Sequence, residues 1–149
     1  MACVLHFTGD AAEVRELELL CPTEPCAVFR KGEPRSARPG ARPAGTSGIS
    51  VVASEADIEE LELQQAEALV YLKAHHDRLL AMRSVAAVEA GSIDFGIAMR
   101  DVIVPGDSFE PDLLAEIASL RMRLVLSQYP PVGKAKKVKQ YRRSQRSAA

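Results

Sequence analysis

Tryptophan is absent from the chain, and aromatic residues make up only 5% of its 149 residues. A hydrophobic core must therefore be built from aliphatic side chains, and a hydrophobic content of 47% is enough to form one. No run of about 18 apolar residues occurs, so we expect no segment that crosses a membrane. The first ten residues carry no basic residue ahead of their apolar stretch, which argues against a secretory signal.

Cysteine is also scarce, because the chain has only Cys3, Cys21 and Cys26. An odd number of thiols without metal-site spacing is typical of free cysteines in a reducing compartment, so we expect a cytoplasmic protein. Cys21 and Cys26 lack a second cysteine or histidine pair that would complete a zinc site. We therefore expect neither a metal nor a cofactor.

A recognisable catalytic set is missing as well. His76 lies within an apolar helical stripe, which favours a core or helix-end histidine with a satisfied hydrogen bond over a catalytic one. His6 lies near Asp10, but no nucleophile joins them. Neighbouring acids such as Glu59 and Glu60 are most simply a solvated helix face. The sequence leaves enzymatic activity open and leans against it.

Charge is present in quantity, and it is unevenly distributed. Residues 30–42 sum to +4 and residues 134–149 to +7, so within a chain of net charge −1 the remaining residues carry −12. Such a distribution bears on solubility and on partners rather than on the fold. The candidate residues for binding an anion or a partner are Arg30, Lys31, Arg35, Arg38, Lys136, Lys137, Lys139, Arg142 and Arg143.

Hydrophobic periodicity predicts the element order β-α-β-β-α-β-α-β. The strands are predicted at residues 3–8 and in the segments CAVFR, GISVVAS, SIDFGIAMRDV and RLVLSQY. Three helices are predicted: the first ends near residue 20, the second spans about 56–83, and the third runs from Pro111 to about residue 120. Such interleaving in a short chain favours an α+β fold, with a single mostly antiparallel sheet and helices packed on one face, as a ferredoxin-like variant. The predicted core cluster contains Phe7, Val51, Leu72, Phe95, Ile117 and Val125.

The domain organisation follows from composition. We expect a single domain over residues 1–131, with a long flexible loop at 31–48 that is rich in glycine, proline, serine and alanine. Residues 132–149, the basic tail, have no periodicity and are predicted to be disordered.

The segment RKGEP opens the long loop. Gly32 permits a positive φ, so a turn over Lys31–Glu33 is the natural interpretation. A phosphate cradle would need a glycine-rich loop that leads into a helix N-terminus, whereas coil and then a strand follow here. We therefore expect a turn that opens a solvated loop, to which an anionic partner could still be attracted.

Four short motifs occur in a fixed order along the chain: FTGD, LCPTEPCAVFRKGE, SGISVVAS and SFEPDLLAEIASLRMRLVLSQY. Together they resemble the bacterial family called domain of unknown function four-two-seven-nine, over roughly residues 3–131. The residues that match the family pattern are Gly9, Asp10, Pro25, Lys31, Gly32, Glu33 and Tyr129. Ile49 stands where the family often has tryptophan, and the basic tail lies outside the pattern. The resemblance implies a small cytoplasmic α/β domain and no particular chemistry.

Two functions remain open at this stage. The first is a non-enzymatic interaction or small-ligand-binding domain, immunity-like or regulatory, with an unidentified protein or small-molecule partner. The alternative is weak, salt-sensitive association with nucleic acid through the loop and the basic tail, where Tyr141 could stack on a base. A body of charge −12 opposes nucleic acid, so the tail could instead fold back on the acidic body of the same or a second subunit, near Glu59, Glu60 and Glu62.

Overall fold

A computed structural model describes residues 3–103 and 105–130, and this part of the chain forms five strands and four helices. In chain order they are β1 (Cys3–Gly9), α1 (Val14–Leu20), β2 (Ala27–Phe29), β3 (Ser47–Ser54), α2 (Leu61–Ala74), α3 (His76–Arg83), β4 (Ala90–Ala98), α4 (Pro111–Ser119) and β5 (Arg123–Tyr129). None of the helices within these residues is long and apolar enough to span a bilayer. The predicted α+β class is confirmed.

The strands form one sheet in the order β2-β3-β1-β4-β5. Strand β1 pairs antiparallel with β3 and with β4, and β2 pairs antiparallel with β3. Strand β5 pairs parallel with β4, because the intervening α4 carries the chain back across the sheet before β5 begins. The sheet is therefore mixed, and the prediction of a mostly antiparallel sheet is wrong at this edge.

The long helix predicted over residues 56–83 is two helices. Helix α2 ends at Ala74 and α3 begins at His76, while His75 between them has φ −119° and ψ 16°. Residues 56–60 form the approach to α2, in which the Glu60 amide donates to the carbonyl of Asp57 across 3.0 Å. The observed order is thus β-α-β-β-α-α-β-α-β.

The core lies between one face of the sheet and the helices. Five of the six predicted core residues, Phe7, Val51, Leu72, Phe95 and Ile117, are buried in one cluster. Val125 is 38% exposed, so its predicted burial is wrong. The reason is that β5 is the outermost strand, and six of its seven residues are exposed.

The long loop begins with the predicted turn. Gly32 has a φ of 84°, and the Glu33 amide donates to the Arg30 carbonyl across 3.0 Å. Two isolated bridges, Lys31 to Ala44 and Pro34 to Pro43, then fold the segment back on itself. The flexibility of this loop stays a prediction, and the basic tail lies outside the described residues.

Candidate functional site

Two of the four candidate cations near the long loop are paired with acids, one in the turn after β1 and one in α1. Lys31 Nζ lies 2.5 Å from Asp10 Oδ1, and an Arg30 guanidinium nitrogen lies 3.8 Å from Glu18 Oε2. These pairs are exposed, so they reduce the local positive charge without adding much stability. The Asp10–Lys31 pair joins two of the motif residues that carry the family resemblance.

The other candidate cations have different surroundings. The Arg35 guanidinium lies 5.9 Å from the centroid of the Phe29 ring, a cation–π contact. Arg38 is exposed near the tip of the loop. The remaining candidates, Lys136, Lys137, Lys139, Arg142 and Arg143, lie outside the described residues.

A groove of about 1070 Å³ lies between α2 and the outer edge of β3. Its floor is the end of β3 with the following residue, residues 52–55, and one wall is residues 23–26. The other wall is α2, where Ala66, Val70 and Ala74 recur every four residues and so form one exposed apolar strip. From Ala66 to Ala74 the helix rises about 12 Å, which is the length of about four residues of an extended chain.

The edge of β3 within this groove lies beyond Ala27, the first residue of β2. Strand β2 pairs only with Gly48, Ile49 and Ser50, although β3 continues to Ser54. The Cys26 amide donates to the Ser50 carbonyl across 2.8 Å, so the backbone of Val52, two residues on, points to the same side. Among the described residues, no backbone hydrogen bond from the segment before β2 reaches Val52.

The sequence explains why the pairing of β2 with β3 does not extend to Val52. Pro25 directly precedes Cys26, whose amide makes the last backbone hydrogen bond from this segment to β3. The ring of proline fixes φ at about −65°, and within sheets proline is confined to edges and to the first residues of strands, so Pro25 limits further pairing in this direction. An open strand edge of this kind presents hydrogen-bonding groups to any extended chain that approaches it.

The wall formed by α2 is held in place by polar contacts. The Tyr71 hydroxyl and the Thr23 hydroxyl lie 2.7 Å apart, and the Tyr71 ring packs edge-on against His75 with centroids 4.6 Å apart. Burial raises the pKa of the Tyr71 hydroxyl, so this group stays neutral at physiological pH. The contact ties residues 23–26 to α2 and closes one end of the groove.

Acidic side chains give the groove a negative charge. Carboxylates of Glu24, Glu55 and Glu67 line it, and no lysine or arginine among the described residues does so. A ligand that carries positive charge is therefore favoured there over an anionic one. Cys26 also lines the groove and is exposed, whereas Cys3 and Cys21 are buried.

A second polar cluster lies on the face of the sheet away from the helices. His6 Nδ1 lies 2.8 Å from Ser50 Oγ, and Ser127 Oγ donates to Asp94 Oδ2 across 2.7 Å. Asp94 Oδ1 is buried and has no hydrogen-bond partner in the described part of the chain, so no hydrogen bond links this oxygen to His6. The serine, histidine and aspartate thus do not form a connected nucleophile–base–orienter set.

The environment of His6 was not evident from its neighbours in sequence. Burial lowers the pKa of His6, and the negative charge of Asp94 opposes that shift. Along the sequence the acid nearest to His6 is Asp10, whereas the cross-strand register places His6 opposite Ser50 and Ser92. The alternating polar positions of β1, β3 and β4 were the signal that could have revealed the cluster.

The remaining histidine of interest is structural. His76 is the first residue of α3, and its Nδ1 lies 2.6 Å from Glu116 Oε1. The predicted helix-end histidine with a satisfied hydrogen bond is confirmed. No cluster of three or more histidine, cysteine or acidic side chains within residues 3–103 and 105–130 is arranged to hold a metal ion.

Comparison of the chain with protein-family models, with curated proteins and with solved structures gives no match. The resemblance to domain of unknown function four-two-seven-nine therefore stays a prediction.

Proposed function

We propose that this chain is a non-enzymatic interaction domain that binds an extended peptide in the groove between α2 and β3. One observation carries the proposal: the edge of β3 at Val52 is unpaired, and it lies at the floor of an apolar groove. Addition of a strand to such an edge is a recurring mode of peptide recognition, in which the main chain supplies affinity and side-chain pockets supply specificity.

The geometry defines how a bound peptide would lie. Its backbone would pair with the outward N–H and C=O of Val52, and every second side chain would face the strip of Ala66, Val70 and Ala74. Two such hydrogen bonds contribute about 1–3 kcal/mol in total, whereas micromolar binding requires about 8 kcal/mol. Apolar contact with the strip must therefore supply much of the affinity, which makes Val70, with 70% exposure, the most informative residue to change.

The test is selection of binding peptides from a random displayed library. It uses the full chain and a full-length variant in which the seven cations of residues 134–146 are replaced by glutamine, so that the tail cannot compete for an acidic groove. Affinities of the selected peptides are then measured for wild type, Val70→Lys and Leu19→Lys. Leu19 is the matched control, because it is 73% exposed on α1 and does not line the groove.

We expect Val70→Lys to weaken binding about tenfold or more, because it places a hydrated cation on the apolar strip. Leu19→Lys should leave the affinity unchanged. Equal binding to Val70→Lys and wild type would place the peptide elsewhere, and a selection that yields no peptide from either protein would remove the proposal.

The alternative function is weak nucleic-acid association through the loop and the basic tail. It is supported by the charge of those segments alone. The acidic groove and the ion pairs of Arg30 and Lys31 favour the peptide instead. A gel shift with single-stranded RNA at two salt concentrations tests the alternative directly, because phosphate contacts weaken steeply with salt.

We also propose that the fold is a ferredoxin-like variant and that the protein acts in the cytoplasm. The neighbouring strands in the order β2-β3-β1-β4 are antiparallel, which supports a ferredoxin-like variant extended by α4 and β5. An experimental structure with a different neighbour for β1 would contradict it. The free thiols of Cys3, Cys21 and Cys26 support action in a reducing compartment such as the cytoplasm.

A further inference from the structure

Exposed acidic residues gather at the end of the sheet where β3, β4 and β5 all finish. The segment after β3 crosses towards the end of β4, where the Ala98 amide donates to the Ile58 carbonyl across 3.0 Å. Five exposed acids of this segment and of α2 are together called the acidic end below: Asp57, Glu59, Glu60, Glu62 and Glu67. Within the described part of the chain, none of these five forms a salt bridge. The acidic end therefore presents several carboxylates that no lysine or arginine of the described residues pairs with, and these attract a cationic partner.

Strand β5, which precedes the basic tail in sequence, finishes at this same end of the sheet. Strands β3 and β4 both run antiparallel to β1, and β5 runs parallel to β4, so β5 finishes on the side where β3 finishes. The strand position beyond the outer edge of β3 is four strand spacings from β5, or about 19 Å. The 19 residues that follow Pro130 could span about 60 Å when extended. The tail is thus long enough to cross the acidic end and to enter the groove.

The basic tail and the groove are also complementary in charge and in apolar character. Residues 134–146 contain seven cations and no acid, and the groove is lined by carboxylates and by no lysine or arginine of the described residues. Val138 is the one β-branched residue within this run, and Lys137 and Lys139 flank it. A single apolar side chain between cations suits a short apolar strip with acidic borders, such as the strip centred on Val70.

We infer that the occupant of the groove is the chain's own basic tail, residues 132–149, which crosses the acidic end and pairs in extended form along the open edge of β3. The inference rests on the proposed function, since it assigns a ligand to the same groove. Because the tail is tethered, its effective concentration at the groove is in the millimolar range, so a weak contact is enough for substantial occupancy. A protein partner would then have to displace the tail in order to bind.

The exposed thiol of Cys26 provides a direct test, because it lines the groove while Cys3 and Cys21 are buried. The rate of Cys26 alkylation by iodoacetamide is measured for nuclease-treated wild type and for a full-length tail variant. In that variant glutamine replaces Lys134, Lys136, Lys137, Lys139, Arg142, Arg143 and Arg146. We expect the wild type to react about threefold or more slowly at 50 mM salt, and the two rates to converge at about 500 mM salt, where exposed charges are screened.

The sign of this effect separates covering of the thiol from a purely electrostatic influence. Cations near a thiol favour the thiolate and would speed the reaction of the wild type with a neutral reagent. Slower reaction of the wild type therefore reports that the tail shields Cys26. A faster or equal rate for the wild type at low salt would overturn the inference.

A pair of acidic-end variants provides the reciprocal test. Glu59→Gln with Glu62→Gln removes two charges of the acidic end and should speed Cys26 alkylation in the wild-type chain but not in the tail variant. The matched control is Glu13→Gln with Glu89→Gln, because these exposed acids lie at the opposite end of the sheet, beyond β1 and before β4. The inference requires the first pair to raise the rate in the wild-type chain only and the control pair to leave it unchanged, and an equal rise in both backgrounds, or equal rates for both pairs, would overturn it.

Varying the protein concentration shows whether the tail in the groove comes from the same chain or from a second copy. Tethered docking predicts the same protection from about 1 to 100 μM protein, whereas a tail supplied by another chain protects more at higher concentration and would overturn the assignment. Failure of this inference is distinguishable from failure of the proposed function. If the Cys26 rates are equal but the selected peptides remain sensitive to Val70→Lys, the groove binds a peptide and the tail is not its occupant.

Discussion

Ser54 donates its hydroxyl hydrogen to Oε2 of Glu67 across 2.6 Å, and this bond joins the last residue of β3 to the middle of α2. The same hydroxyl oxygen accepts from the Ala56 amide at 3.1 Å, and Ser54 is only 3% exposed. One buried side chain therefore links the floor of the groove to its helical wall and to the segment that leads into the acidic end. The bond fixes the separation between the open edge of β3 and the apolar strip.

The first prediction concerns this link. Ser54→Ala removes two hydrogen bonds, one of them to a charged carboxylate, so the free energy of unfolding should fall by about 1–3 kcal/mol. Urea denaturation measures the change. Ser84→Ala is the control, because Ser84 is exposed and its hydroxyl only donates to the Leu80 carbonyl, so its effect should stay within about 0.5 kcal/mol. Equal effects of the two substitutions would contradict a structural role for the Ser54–Glu67 bond.

The second prediction tests the helix face that α2 buries. Leu72 is fully buried in the core cluster, whereas Val70, two residues earlier, is 70% exposed. Leu72→Ala should lower the free energy of unfolding by about 2–5 kcal/mol, because it leaves a cavity among well-packed neighbours. Val70→Ala should change it by less than about 0.5 kcal/mol. An unchanged urea midpoint for Leu72→Ala would show that the orientation of α2 is wrong.

The third prediction concerns the close approach of β1 and β3. A Cβ atom at Gly48 would lie 2.0 Å from the Phe7 carbonyl oxygen, so only glycine fits between these backbones. Gly48→Ala should therefore destabilise the protein by about 1–3 kcal/mol, as overpacking does elsewhere. Gly45→Ala is the matched control, because a Cβ there meets no atom within 4 Å. Thermal melting that ranks Gly45→Ala as the more harmful change would refute the β1–β3 register.

The fourth prediction is a pH dependence that originates at His6. Because burial lowers the pKa of His6 below its usual value near 6.5, the unfolded chain binds its proton more readily than the folded protein does. The free energy of unfolding should therefore fall as the pH decreases from about 7 through 6.5 towards the folded-state pKa. His6→Asn lacks this titration, so its stability should decrease less over that interval. Urea midpoints at several pH values test this, and a steeper loss for His6→Asn would contradict it.

Much of the fold was predictable because β1 and β4 alternate between buried and partly exposed residues along much of their length. Strand β4 alternates between buried Ile93 and Phe95 and the partly exposed Ser92 and Asp94, and this is the period that marks a strand. The apolar residues of α2 and α3 fall on one helical stripe, which predicted both helices as one. The break at His75 has no proline or glycine to signal it, so the pattern could not reveal it.

The parts that could not be predicted depend on relations between elements. Whether β5 is parallel or antiparallel is set by the path of α4, and the apolar residues of RLVLSQY look the same in either case. The groove arises because β2 has three residues and β3 has eight, which is a mismatch between two strands. Pro25 was the available signal, since a proline ahead of a short strand limits how far that strand can pair.

The last prediction concerns the long loop, whose mobility the sequence predicts and whose described residues 31–40 are all exposed. The bridges of the loop hold its base, and few large apolar side chains anchor its tip, so the tip should open most readily. Trypsin cleaves poorly before proline, and Pro39 and Pro43 follow the second and third arginines of the tip. Limited proteolysis followed by mass spectrometry should therefore give a first internal cut after Arg35. Arg35→Gln should delay internal cleavage without changing the melting temperature. A first internal cut after Lys73 or Arg78 would instead show that α2 and α3 open before the loop does.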